Sequence, residues 1–98
     1  MEDITVEELK QKLDNKEEFG FIDVREEWEY EEDNIGALNI PLGQLPHQLD
    51  EINQFKHKEL VVHCRSGARS ANAKKFLETK GYTKVRNVLG GILAFRNL

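Results

Sequence analysis

The sequence predicts an α/β protein in which a mostly parallel sheet carries helices on both faces. Three observations predict it. Short runs of β-branched and aromatic apolar residues, too continuous for strands wetted on one side, alternate with helix-period segments. That alternation implies right-handed crossovers and parallel pairing. The only cysteine, Cys64, ends one such run and precedes a glycine-bearing loop, at the carboxyl edge where open α/β sheets bind their ligands.

The elements follow in order. Thr5 and Glu8 form a capping-box pair ahead of Val6, Leu9 and Leu13, which predicts a helix from Thr5 that fades by Asn15. Phe19–Val24 predicts a strand buried on both faces, ending in the charged pair Asp23 and Arg25. Glu26–Asp33 predicts a short acidic surface helix with Trp28 tucked under a loop. Ala37–Ile40 predicts a strand stopped by Pro41. Leu42, Leu45, Leu49, Ile52 and Phe55 recur at helical intervals, which predicts helical turns with Pro46 near a helix start. Leu60–His63 is the strand before Cys64, and Ser70–Lys80 the helix after it, with Gly81 closing it. Thr83–Leu89 predicts a last strand, Gly90-Gly91 a turn, and Ile92–Phe95 the start of a final short helix. There is no repeat and no linker, so residues 1–98 are expected to form one domain.

Composition narrows the class. The chain has 98 residues, a net charge of −4 and a charged fraction of 33%. No apolar run approaches the ~20 residues needed to span a bilayer, and the acidic N-terminus lacks a signal-like segment; a cytoplasmic protein without membrane contact is expected. One cysteine excludes an internal disulfide and a multi-cysteine metal site. His47 and His57 are isolated and polar-flanked, and are read as surface residues; no metal and no cofactor is called for. Charge is uneven: 14 acids against 4 bases over residues 1–34, and 2 against 10 over residues 55–98. This is either a solvated asymmetry or a cationic half that attracts a small anion. The acidic total and the lack of a dense basic stripe speak against nucleic acid.

The chemistry concentrates in Cys64-Arg65-Ser66-Gly67-Ala68-Arg69-Ser70. A strand-end cysteine can be an inert small hydrophobe, but such a residue needs no flanking arginines, glycine or helix start. The following helix presents unpaired amides and partial positive charge. Gly67 permits positive φ, so successive amides can share one concavity. Arg65 and Arg69 add fixed charge. Together these favour thiolate over thiol at Cys64. Two cargoes suit such a loop: phosphate, with cysteine as nucleophile, or a sulfur carried on the cysteine. Cys64 to Arg69 is C-x4-R, one residue tighter than the C-x5-R of cysteine phosphatases, and tightness favours a single extra sulfur.

The same loop resembles the six-residue active loop of single-domain rhodaneses, the sulfurtransferases. Asp23-Val24-Arg25-Glu26 with Trp28-Glu29-Tyr30, Ala37-Leu38-Asn39-Ile40-Pro41-Leu42 and Leu89-Gly90-Gly91-Ile92-Leu93-Ala94-Phe95 resemble further segments of that family, in order along nearly the whole chain. Two departures stand out: Asp33-Asn34-Ile35-Gly36-Ala37 is one residue shorter than the family's Gly-His-Ile-Pro-Gly-Ala, and Phe95 stands where Trp is common. The resemblance implies a rhodanese-like, three-layer domain over residues 1–98, with a mostly parallel five-stranded sheet.

It also implies a ping-pong thiosulfate sulfurtransferase. Cys64 would take the outer sulfur of thiosulfate, a persulfide or a polysulfide and pass it to a thiophilic acceptor, including a protein. Arg65 and Arg69 would bind the anionic donor, the amides from Arg65 through Ser66, Gly67, Ala68 and Arg69 to Ser70 would hold the persulfide, and Asp23 and Arg25 would brace the loop. Read from the residues alone, Asp23 and Arg25 could equally be a local cap and ion pair. The segment Glu26–Asp33 reads as a solvated face or as a docking surface. If His63 alternates with its strand neighbours it points away from the loop and is no base. The competing readings are a sulfur-carrier or persulfide-docking module without turnover, and an arsenate reductase or phosphatase-like enzyme.

Overall fold

A computed structural model describes residues 1–98. Its elements are α1 (Val6–Asp14), β1 (Gly20–Asp23), α2 (Glu27–Glu32), β2 (Leu38–Asn39), three successive 3₁₀ turns (Leu42–His47, Leu49–Glu51 and Asn53–Phe55), β3 (Leu60–His63), α3 (Ala68–Thr79), β4 (Val85–Asn87) and α4 (Gly91–Arg96). The four strands pair in parallel in the order β2-β1-β3-β4. The expected fifth strand is reduced to a single parallel bridge between Ile4 and Val88. Only Ile4 reaches the edge before Thr5 turns the chain into α1.

Side-chain alternation splits the core into two layers. Ile22, Leu60, Val62 and Val85 pack with Ala73 and Leu77 of α3 and with Ile40, Leu45 and Ile52. Val61 faces the other way, with Ile4, Leu9 and Val88, and with Phe21, Ala94 and Phe95 against it. All four residues of β3 are buried. That follows from lying mid-sheet with both faces covered, and each large apolar side chain so buried contributes about 1.5–3 kcal/mol.

Local chemistry sets the element ends. The Thr5 hydroxyl accepts the Glu8 amide at 3.1 Å, but the Glu8 carboxylate does not close the capping box. It pairs instead with Arg86 at 2.7 and 3.0 Å. Gly81, at φ 91°, ends α3 as expected. His47 and His57 are exposed.

Four further expectations are corrected. The apolar residues between Leu42 and Phe55 form the expected helical turns, all of the 3₁₀ kind, but Pro46 lies inside the first turn rather than near its start; short 3₁₀ pieces place Leu45 and Ile52 inward without a long hydrogen-bond ladder that Pro46 would interrupt. The strands are shorter than their apolar runs, because the flanking residues continue into core packing beyond the ladder. Helix α3 begins at Ala68, two residues before the expected start, with Gly67 as its N-cap. Trp28 is not tucked away: it is 62% exposed, while Glu29 beside it is 9% exposed. Successive helix residues point about 100° apart, and α2 turns Glu29 inward because cations wait there.

Candidate active site

Strand β3 delivers Cys64 to the carboxyl edge of the sheet, and the next three residues make the turn into α3. The loop closes because its carbonyls are drawn outward. The Cys64 and Arg65 carbonyls accept the amides of Ile92 (3.0 Å) and Leu93 (3.1 Å) at the start of α4. The Gly67 carbonyl accepts the Ala71 amide at 3.0 Å and Asn87 Nδ2 at 3.3 Å. Gly67 sits at φ 108°, a left-handed conformation costly for residues with a Cβ. Gly91 is required for a different reason. A Cβ there would lie 2.7 Å from the Cys64 carbonyl oxygen and closer still to that of Arg65, so only glycine lets α4 approach the loop.

With the carbonyls turned out, donors turn in on the sulfur. Sγ accepts the Gly67 amide at 3.1 Å, the Ser70 amide at 3.4 Å and the Ser70 hydroxyl at 3.3 Å. The amides of Arg65, Ala68 and Arg69 have no acceptor within the chain. Cys64 is 1% exposed. Burial pushes its thiol up, but the Ser70 hydroxyl and the amides of Ser70, Gly67 and Ser66 outweigh burial and hold it below the ordinary cysteine value. Hydrogen bonds to the charged form have this effect.

The arginines divide. Arg65 is exposed and forms no ion pair. Arg69 makes a two-pronged pair with Glu29, at 2.6 and 3.0 Å. The Arg69 guanidinium pulls Glu29 down to about 2. Asp23 and Arg25 come together, with Arg25 Nε 3.1 Å from both Asp23 oxygens and Nη2 2.8 Å from Oδ2. Arg25 then donates to the carbonyls of Asp33 (2.7 Å) and Glu29 (3.4 Å). It therefore braces α2, and α2 braces the loop through Glu29. Asp23 and Arg25 make no hydrogen bond to the Cys64–Ser70 loop itself.

His63 lies behind the loop, fully buried, with Nδ1 3.2 Å from the Cys64 carbonyl and Nε2 3.5 Å from Asp23 Oδ2. Burial lowers its basicity, and it does not contact Sγ. In front of the loop runs a groove of about 670 Å³ lined by Trp28, Arg65, Arg69, Ile92, Leu93 and Arg96 among others. Two residues in this arrangement were not singled out from the sequence. Glu29 was submerged in an acidic run. Asn87, the buried last residue of β4, accepts the Ser70 hydroxyl at 2.5 Å; with Lys84 and Arg86 in the same stretch, an asparagine there carries no distinct signal.

A rhodanese-like domain model matches residues 5–98. The chain belongs to the rhodanese-like domain family. It is 40% identical over 96 residues to YtwF of Bacillus subtilis, named as a candidate sulfurtransferase, covering 97% of this chain and 90% of that one. It is 37% identical over 94 residues to a sulfurtransferase of Allochromatium vinosum, covering 95% and 86%. YrkF of Bacillus subtilis, named as a candidate sulfur carrier, is 38% identical over 91 residues; the match covers 92% of this chain but only 48% of YrkF, about half its length. A crystal structure of a rhodanese-like domain protein from Staphylococcus aureus superposes with a TM-score of 0.83 at 35% identity, covering 97% and 91%. In this rhodanese-like chain no helix is long and apolar enough to cross a membrane.

Proposed function

We propose that this rhodanese-like protein is a sulfurtransferase that carries a sulfane sulfur as a Cys64 persulfide. The observation that supports it most is the ring of donors on Sγ: Gly67 N at 3.1 Å, Ser70 N at 3.4 Å and Ser70 Oγ at 3.3 Å. In the first step the Cys64 thiolate attacks the outer sulfur of thiosulfate. The S–S bond to Cys64 forms, the bond to the sulfonate sulfur breaks with its electron pair, and sulfite leaves. One negative charge stays on the persulfide and two depart, so charge balances. In the second step an acceptor thiolate or cyanide takes the outer sulfur and the Cys64 thiolate returns. Storing the sulfur covalently divides one transfer into two easier ones.

The unbonded amides of Arg65, Ala68 and Arg69 are the donors left for the added sulfur. Charge-assisted bonds of that kind contribute about 1.5–3 kcal/mol each. Arg65, unpaired at the groove, meets the anionic donor; Arg69 stands beside it on Glu29. With no second cysteine in the chain, the acceptor is external: a small thiol or a protein.

Intact-mass spectrometry after thiosulfate or polysulfide tests this. Wild type should gain one sulfur atom and Cys64→Ser none; equal uptake by both would end the proposal. A carrier reading without turnover is favoured by the name of YrkF alone. Steady-state thiosulfate:cyanide transfer separates it, since a carrier loads once and an enzyme cycles.

A further inference from the structure

The Ser70 hydroxyl has one proton and three acceptors around it: Asn87 Oδ1 at 2.5 Å, Cys64 Sγ at 3.3 Å and the Gly67 carbonyl at 3.3 Å. The Gly67 carbonyl is already served by Ala71 N and Asn87 Nδ2. That second bond also fixes the Asn87 amide with its oxygen toward Ser70. The contest for the proton is therefore between Asn87 and the sulfur. Ser70 is fully buried and Asn87 6% exposed, so water does not relieve whichever acceptor loses.

We propose that Asn87 is a positioning residue for the Cys64 chemistry, holding the Ser70 hydroxyl proton while Sγ is uncharged and giving it up to Sγ when the thiolate forms. No proton leaves oxygen; rotation about the Cβ–Oγ bond re-aims it. In the thiol state a relay runs from S–H to Oγ and from Oγ–H to Asn87 Oδ1. In the thiolate state the hydroxyl turns to the sulfur, and Oδ1 is left without its donor, a cost typical of a buried orphaned carbonyl. Once a persulfide forms, the charge sits on the outer sulfur, Sγ becomes a neutral divalent atom, and the hydroxyl returns to Asn87. The device keeps the free thiolate from being over-stabilised, and a less stabilised thiolate is the better nucleophile. This rests on Cys64 being the reacting sulfur.

The charges facing this cluster come from every neighbouring element. Arg65 and Arg69 flank the loop, with Glu29 of α2 on Arg69. His63 of β3 lies against Asp23 of β1. Ahead of α1, Asp3 accepts the backbone N–H of Asn87 at 3.0 Å and pairs with Lys74 of α3. Glu29 and Asp3 are both held below their ordinary values, and His63 below 6.5. All three have their midpoints on the acid side of 6.5, so a shift well above it reports the sulfur.

The test is the pH profile of Cys64 alkylation by iodoacetamide. It needs no sulfur donor, so its outcome is separate from whether sulfur is transferred. Asn87→Ala frees the hydroxyl for Sγ and should lower the midpoint by ~0.5–1 unit. In a Ser70→Ala background the same substitution should do nothing, because the coupling runs through that hydroxyl. Asn87→Asp should move the midpoint upward, since a carboxylate grips the proton harder and adds negative charge. A merely structural role would loosen the loop and raise the midpoint in both variants. A midpoint unchanged or raised by Asn87→Ala, or a shift that persists without Ser70, overturns the proposal. If Asn87→Ala does not fold, the near-isosteric Asn87→Asp decides: its upward shift should shrink in the Ser70→Ala background, and an undiminished shift overturns the proposal.

Discussion

Arg69, at the start of α3, holds Glu29 of α2 through two hydrogen bonds of 2.6 and 3.0 Å, across 40 residues of sequence. This pair turns an acidic surface helix into one wall of the loop around Cys64. It also explains why the tryptophan beside Glu29 faces solvent.

Glu29→Gln should therefore cost stability, by about 1–2 kcal/mol, as loss of a partly buried charge-assisted pair does. The sign with pH follows from Glu29 lying at about 2 in the fold against 4.5 unperturbed. Its contribution is fully present above 4.5 and is lost as pH falls through about 2. Urea unfolding at pH 7 and pH 5.5 should show nearly the same gap between wild type and variant, and the gap should narrow as pH falls from 4.5 toward 2. A gap that does not narrow over that acid range would mean that Glu29 titrates as an ordinary glutamate.

Gly91→Ala should cost about 2–4 kcal/mol, because the new Cβ collides with the Cys64 and Arg65 carbonyls at a left-handed φ of 61°. Gly43 meets nothing within 4 Å and is not left-handed, so Gly43→Ala should be neutral. Thermal unfolding of the two variants checks the contrast. Cys64 alkylation should change only in the Gly91 variant, since the carbonyls it displaces set the direction of the loop amides.

Arg65→Gln should lower kcat/KM on thiosulfate about tenfold, equivalent to ~1.4 kcal/mol. The side chain is exposed and unpaired, so stability should stay within about 0.5 kcal/mol of wild type. Raising the salt concentration should shrink the wild-type advantage, as screening does for exposed charges.

His63→Phe should remove an acid sensitivity. Burial holds the His63 imidazole neutral, with its value below 6.5. The unfolded chain therefore binds a proton first as pH falls, and wild type loses stability below 6.5 until the folded-state value is passed. Denaturant midpoints at pH 7.5 and 5.5 should fall further apart in wild type than in the variant. Sulfur uptake should persist in His63→Phe, since the imidazole does not touch Sγ.

Much of this was legible in the chain itself. Leu60–His63 and Cys64 are where the apolar run and the only cysteine place them, and Gly67 and Gly81 have the positive φ their positions predict. His63 lies off the sulfur, as strand alternation requires. The stretch from Leu42 to Phe55 forms the expected helical turns, but intervals of three and four serve successive 3₁₀ turns as well as one α-helix, so the spacing left the kind of turn open. Trp28 faces solvent, against expectation, because hydrophobicity predicts burial only when no stronger claim is made on the same helix face. Arg25 and Arg69 make that claim on behalf of Glu29.

What the sequence by itself determined is the candidate sulfur and its immediate cradle: a cysteine at a parallel strand end, a C-x4-R loop and a helix start. Those properties depend on neighbours within a few residues, where spacing and backbone preference suffice. Only the tertiary structure decided which partner each polar group took. Arg69 chose Glu29, the Ser70 hydroxyl met Asn87 17 residues away, and Gly91 came to rest on the carbonyls of Cys64 and Arg65. A buried polar group must find its match wherever packing brings one, and that packing belongs to the whole chain.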